Sequence, residues 1–215
     1  MTGQGDQKIS CAEILEEVGQ YYSEKIKTYG ATARGVDWNS RQSQELRFDQ
    51  LLKICDCKRT FSINDYGCGY GALVEYMTDR GYTFRYRGYD ISSQMIAKAM
   101  ELHEGLEYCE FFTGESELTV ADYTVASGIF NVKLQTSDEE WGEYVLQILA
   151  KISELSKKCF VFNMLSSYSD RDLMRPDLYY ADPLYFFDYC KKKFSKFVSL
   201  SHDYPLYEFT ISVRK

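Results

Sequence analysis

The stretch Asp65-Tyr66-Gly67-Cys68-Gly69-Tyr70-Gly71 places three glycines within five positions, the first of them two residues after an acid. Glycine allows a tight turn and lets a ligand approach the backbone with no Cβ in the way. Asp90 stands 19 residues past Gly71, the spacing at which an acid takes the hydroxyls of a ribose in nucleotide-binding α/β sheets. Loop and acid together indicate an adenosyl ligand. Gly67, Gly69 and Ala72 also satisfy the dinucleotide fingerprint, which keeps a nicotinamide or flavin cofactor open. Asp65 weighs against it, because a carboxylate at the head of the loop repels a pyrophosphate and suits a ligand with a cationic amine.

Other candidates for chemistry are few. The chain has two histidines, His103 and His202. His202 follows a strand at the sheet edge where open α/β folds bind ligands, so it is the candidate general base. His103 is expected at a helix end on the outer surface. The segment from Ser166 to Phe187 carries Tyr168, Arg171, Met174, Arg175, Tyr179, Tyr180 and Asp182. Its arginines could clamp an anionic acceptor, and its tyrosines could flank a sugar-like one. No metal is expected, since no His/Asp cluster stands at ligand spacing. Cys55-x-Cys57 lacks both zinc spacing and a second pair.

The elements that must position these residues follow from periodicity. An amphipathic helix is predicted from Ser10, with Cys11, Ile14, Leu15, Val18 and Tyr22 on one face and Ser10 and Glu13 as a capping box. Residues Met1 to Lys8 are expected to be frayed, and Tyr29 to Arg34 to form a loop. A second helix is predicted over about Ser40 to Cys55. Strands follow at Thr60–Asp65, Arg85–Asp90, Leu106–Thr113, Tyr123–Ser127 and Cys159–Leu165, and helices at Leu73–Arg80, Ser92–Glu101 and Glu139–Ser156. Such alternation makes βαβ units and a parallel sheet covered on both faces. Strands at Lys196–Ser201 and Tyr207–Arg214 are joined by only five residues, too few for a parallel crossover. They must pair antiparallel if they are neighbours.

With 215 residues, 45% of them hydrophobic and 3 of them proline, the chain is read as one structural domain: a helical segment 1–57 on an α/β core 58–215. The net charge of -7 argues against nucleic acid and anionic membranes as partners. Seven irregularly spaced cysteines point to a reducing cytoplasm. No apolar run approaches the ~20 residues that span a bilayer.

The acidic glycine loop and the closing antiparallel hairpin resemble the class I S-adenosylmethionine-dependent methyltransferases, whose first motif is D/E-x-G-x-G-x-G. That resemblance runs from about Thr60 to Lys215. It implies a Rossmann-like, seven-stranded, mostly parallel sheet with an antiparallel last strand, and S-adenosyl-L-methionine as cofactor. It also implies that Gly67, Cys68, Gly69 and Gly71 shape the loop around the methionine part, Asp65 holds the amine, Asp90 binds the ribose and Ile91 packs on adenine. Glu115 and Ser116 would contact adenine, and Ser127 through Phe130 would line the methyl-donor sulfur. Trp38-Asn39-Ser40, Ser43-Gln44, Arg47-Phe48 and the run His202 to Thr210 resemble a bacterial subgroup of small methyltransferases, in which Tyr22 and Trp38 would cover the cofactor. The implied activity is in-line methyl transfer to a small molecule, most readily at oxygen, by a monomer or homodimer. Phe130, Tyr168, Arg175 and Tyr179 are the expected acceptor contacts. The alternatives are a cofactor-binding module without catalysis and a nicotinamide-dependent oxidoreductase.

Overall fold

A computed structural model describes residues 11–56 and 58–215; the expected fraying of Met1 to Lys8, the Ser10 cap and Cys57 lie outside the described residues. Helix α1 covers Cys11–Tyr29 and α2 Arg41–Leu52, with a 3-10 turn at Ala33–Val36 between them. Strands and helices then alternate: β1 Phe61–Tyr66, α3 Ala72–Asp79, β2 Phe84–Tyr89, α4 Ser93–Leu102, β3 Cys109–Phe112, β4 Ala121–Ala126, α5 Asp138–Glu154, β5 Ser156–Leu165, α6 Pro183–Lys193, β6 Phe197–Ser201 and β7 Glu208–Arg214. Ser40 caps α2 through the Ser43 N–H, Ser92 caps α4 through the Met95 N–H, and Asp182 with Pro183 starts α6.

The seven strands lie in the order β3-β2-β1-β4-β5-β7-β6. Strands β1 to β5 pair parallel, and β7 runs antiparallel to both of its neighbours, β5 and β6. The short connection, residues 202–207 in the structure, thus does join an antiparallel pair, and the last strand lies inside the sheet. The β5–β7 register sets Leu165 opposite Glu208, so β7 begins at the edge where β1, β2, β4 and β5 end. Between β3 and β4 there is only a 3-10 turn, Glu115–Glu117.

Alternate residues of each strand feed two cores. On one face Phe160, Phe162, Phe209 and Ile211 pack with Trp141, Ile148 and Phe186 of α5 and α6. On the other, Ile63, Tyr86, Val125 and Val161 pack with Phe48, Leu51, Leu73 and Met77 of α2 and α3. Helix α1 lies along the ligand edge: Gly19 faces Ile91, and Ser23 Oγ is 2.8 Å from Ser92 Oγ. No described helix is long and apolar enough to cross a membrane.

Candidate active site

A narrow cleft, partly open to solvent, lies at the C-terminal ends of β1, β2 and β4 beneath α1, α2 and the 3-10 turn. Its floor is the glycine loop. Gly67, Gly69 and Gly71 all adopt positive φ (82°, 56° and 79°), a region costly for any residue with a Cβ. Space enforces the same choice, since a Cβ on Gly67 would lie 2.2 Å from Ile129 Cγ2. His103 is not on the outer surface as its helix-end position implied. Its Nε2 sits 3.0 Å from the Gly71 carbonyl oxygen and its ring stacks on Phe111. Burial lowers its pKa, and the neutral ring props the loop from behind.

Two acids face this floor. Asp90 accepts the Gly69 N–H at Oδ2 (2.8 Å) and the Ser92 N–H at Oδ1 (2.9 Å), which leaves each oxygen a further lone pair for a ligand hydroxyl. Burial raises its pKa to about 6, against the pull of those two N–H groups. Asp65 is 3% exposed and accepts the Tyr86 hydroxyl at 2.7 Å. Burial raises its pKa to about 7; the Tyr86 bond opposes the rise and the Asp90 charge adds to it. Two buried acids form a site that gains from a cation.

The remaining walls are aromatic and apolar. Tyr66 and Tyr89 stand edge to face at 4.9 Å, with Tyr144 beside them in the lining. Burial and then the charge of Glu115 push both Tyr66 and Tyr89 hydroxyls up, Tyr89 to about 12. Tyr22, Val36, Trp38 and Phe48 form the roof. Asp37, left-handed at φ 62°, ends the 3-10 turn; it accepts the Tyr21 hydroxyl (2.8 Å) and Lys25 Nζ (2.5 Å), which fixes where Trp38 emerges. Ser127 lines the cleft, and its Oγ is buried with no partner in the protein.

The structure thus gathers Tyr22, Trp38, Asp65, Gly67, Cys68, Gly69, Asp90, Ile91 and Ser127 around one cleft, with Gly71 closing the loop behind it. Other expected residues lie elsewhere. Ser116 is in the turn after β3, outside the lining; Glu115 in the same turn is not in the lining either, but stands close enough to the Tyr66–Tyr89 wall for its charge to act on both hydroxyls, and pairs with Lys151 at 3.3 Å. Phe130 is fully buried against Phe162 in the core, so its ring cannot meet an acceptor. Tyr179 packs beside Gly142 of α5, and Arg175 is paired with Asp177 on the exposed loop after β5. His202 is exposed, with its ring 6.0 Å from Tyr168 and 6.3 Å from Phe209, and it does not line the cleft. Ile129 lines the cleft with Ser127 and Gly128, in the segment expected beside the donor. Sequence reasoning missed Tyr86, the partner of Asp65, and gave no role of their own to Gln44 and Tyr70, which line the cleft from within segments already singled out.

Residues 63–152 match the family described as "Methyltransferase domain". The chain is 48% identical over 164 residues to Rv1506c of Mycobacterium tuberculosis (strain H37Rv), a protein named as a methyltransferase; the match covers 76% of this chain and 99% of that one. The chain belongs to the class I S-adenosylmethionine-dependent methyltransferases. Solved structures show the same methyltransferase fold at low identity. The Burkholderia thailandensis 1,6-didemethyltoxoflavin-N1-methyltransferase, with S-adenosylhomocysteine bound, superposes at a TM-score of 0.62 (17% identical, 98% of this chain, 93% of that one). A DhpI complex named with SAM and HEP superposes at 0.61 (14% identical, 99% of each chain). Membership of this methyltransferase family sets the nicotinamide alternative aside, and the cofactor is S-adenosylmethionine.

The methyltransferase's own residues fit that cofactor. A glycine loop with no room for a Cβ, two buried acids that gain from a cation and from hydroxyl donors, a tyrosine wall and an unpartnered Ser127 hydroxyl provide complementary groups. Among the described residues no group of three or more His, Cys, Asp or Glu could hold a metal ion.

Proposed function

We propose that this methyltransferase methylates a small molecule at oxygen, in line, with residues 1–57 acting as a lid over the cofactor held by the core 58–215. When bound, S-adenosylmethionine supplies a methyl already activated on a sulfonium, so the protein's task is chiefly to hold and orient. In this reading Asp65 receives the amine as a carboxylate, releasing to solvent any proton that burial keeps on it, while Asp90 accepts the ribose hydroxyls and keeps Gly69 in place. Ile91 and the tyrosine wall take the adenine, and Ser127 Oγ bonds the ligand it lacks in the protein. Trp38 and Ile129 exclude water from the transfer region. The acceptor enters past Trp38, its outer part meeting the exposed Tyr168–His202 pair and the Arg175 loop.

The observation that carries a small acceptor is the enclosure itself, with the lid seated against the core at Trp38 and Gly128. Gly128–Ile129–Phe130–Asn131 stands where amino-methylating enzymes carry Asn/Asp-Pro-Pro-Tyr, which weighs against an amino group of nucleic acid as the acceptor. The net charge of -7 supports an acceptor other than nucleic acid, and the irregular cysteines support work in the cytoplasm. The test supplies methyl-labelled S-adenosylmethionine with pooled small hydroxyls, carboxylates and amines, and with RNA as a separate arm. Label in ethers or alkali-labile esters is expected; label confined to nitrogen or to RNA would overturn the reading.

A further inference from the structure

We infer that Glu208 is a positioning residue for methyl transfer, which through Arg47 and Asn163 fixes both Trp38 of the lid and the Gly128 backbone beside the donor. The inference rests on the proposed lid and cofactor site. Glu208 is the first residue of β7 and is completely buried. Its Oε1 accepts Arg47 Nη2 at 2.5 Å and Nε at 3.0 Å, and its Oε2 accepts Asn163 Nδ2 at 2.8 Å. Asn163 turns its Oδ1 to the Gly128 N–H at 2.7 Å. Arg47 in turn donates Nη1 to the Ser43 carbonyl at 2.7 Å, and its guanidinium carbon lies 3.8 Å from the centre of the Trp38 ring. Trp38 closes the circuit, because a Cβ on Gly128 would sit 2.2 Å from Trp38 Cη2.

Five residues from five parts of the chain therefore form a ring of contacts: Trp38, Arg47, Glu208, Asn163 and Gly128. A buried ion pair is a weak way to add stability, since apolar side chains of similar volume do as well or better. What this pair adds is geometry. The planar guanidinium can bond a carboxylate edge-on while its face supports an indole. The same carboxylate orients Asn163, and so the N–H of a glycine held at φ 71° next to Ser127. Lid closure and the donor-facing loop are thus set by one anionic group.

The test measures S-adenosylhomocysteine affinity by calorimetry and acrylamide quenching of tryptophan fluorescence. The chain has two tryptophans and Trp141 is fully buried, so quenching reports on Trp38. For the wild type, S-adenosylhomocysteine is expected to bind and to protect Trp38. Glu208→Gln, and the charge-free pair Arg47→Met with Glu208→Leu, are expected to raise Kd at least tenfold and abolish the protection. Arg47→Lys keeps the charge but loses the planar stack, and it is expected to lose protection with its far-UV spectrum unchanged. A charge-free pair that regains stability and binds within twofold of wild type would show a merely structural pair and overturn the inference. So would Arg47→Lys matching wild type in both readouts. Absence of binding by the wild type itself would instead overturn the site reading, and the inference with it.

Discussion

Asp65→Asn is expected to make the free enzyme more stable and its cofactor binding weaker, with the stability gain dependent on pH. Asp65 has a pKa of about 7 in the folded protein against 3.8 for the free side chain. Between those values the folded state keeps a proton that the unfolded chain has released, so stability falls as pH rises from about 4 to about 7. At about 1.4 kcal/mol per pH unit, the gap costs the ionised protein about 4 kcal/mol at pH 8. Asparagine has the same shape, can still accept the Tyr86 hydroxyl and carries no charge. The variant should therefore melt about 10 °C above wild type at pH 8, since each kcal/mol moves a chain of this size by about 2–4 °C. The two curves should converge near pH 4.5. With S-adenosylhomocysteine present the gap at pH 8 should narrow to about 1–2.5 kcal/mol, because a charge-assisted bond of about 1.5–3 kcal/mol is lost, a roughly 10- to 100-fold weaker Kd. Thermal unfolding from pH 4.5 to 8.5, with and without ligand, checks both arms. A melting difference no larger at pH 8 than at pH 4.5 would refute the claim that burial holds this carboxylate.

Asp90→Ala should weaken S-adenosylhomocysteine binding by at least tenfold in calorimetry, and a change within twofold would exclude the ribose role. Gly67→Ala meets both a φ of 82° and the Ile129 methyl; it should cost about 2–3 kcal/mol in urea unfolding, and trimming the contact with Ile129→Ala should recover only part of it, because the backbone strain stays. Ser127→Ala removes an unpartnered buried hydroxyl, so the free protein should be as stable or slightly more so while its cofactor affinity falls severalfold. Cofactor affinity itself should rise with pH across about 6 to 7, as Asp90 and then Asp65 ionise; a flat profile from pH 5.5 to 8 would contradict their raised pKa values.

Local features were legible in the sequence wherever neighbours along the chain decide them. The glycine loop, the acid after β2 and the antiparallel pairing of β7 each depend on spacing or loop length, and the structure places them as those features require. Three other points depend on strands meeting. Phe130 follows β4 like a cleft residue, yet the turn at Gly128 sends its ring inward to Phe162. His103 ends a helix like a surface residue, yet α4 packs so that it lies under Gly71. Arg47 and Glu208, 161 residues apart, each stand in a segment that resembles the small-methyltransferase subgroup. Nothing along the chain said that they touch.

The position of β7 also bears on how the protein assembles. β7 can pair with β6 as a local hairpin, but the sheet is complete only when the β7 side of that hairpin docks on β5. Such long-range closure is slow, and until it happens the apolar strand Cys159–Leu165 presents an open edge of the kind that recruits other chains. Arg47 meanwhile lacks the Glu208 carboxylate, so α2 sits on the sheet through Phe48 and Leu51 with a buried guanidinium left uncompensated. A chain cut before Glu208 would therefore be an aggregating fragment with no ligand site, and binding competence should appear in one late step together with full protection of the β5 amides from hydrogen exchange.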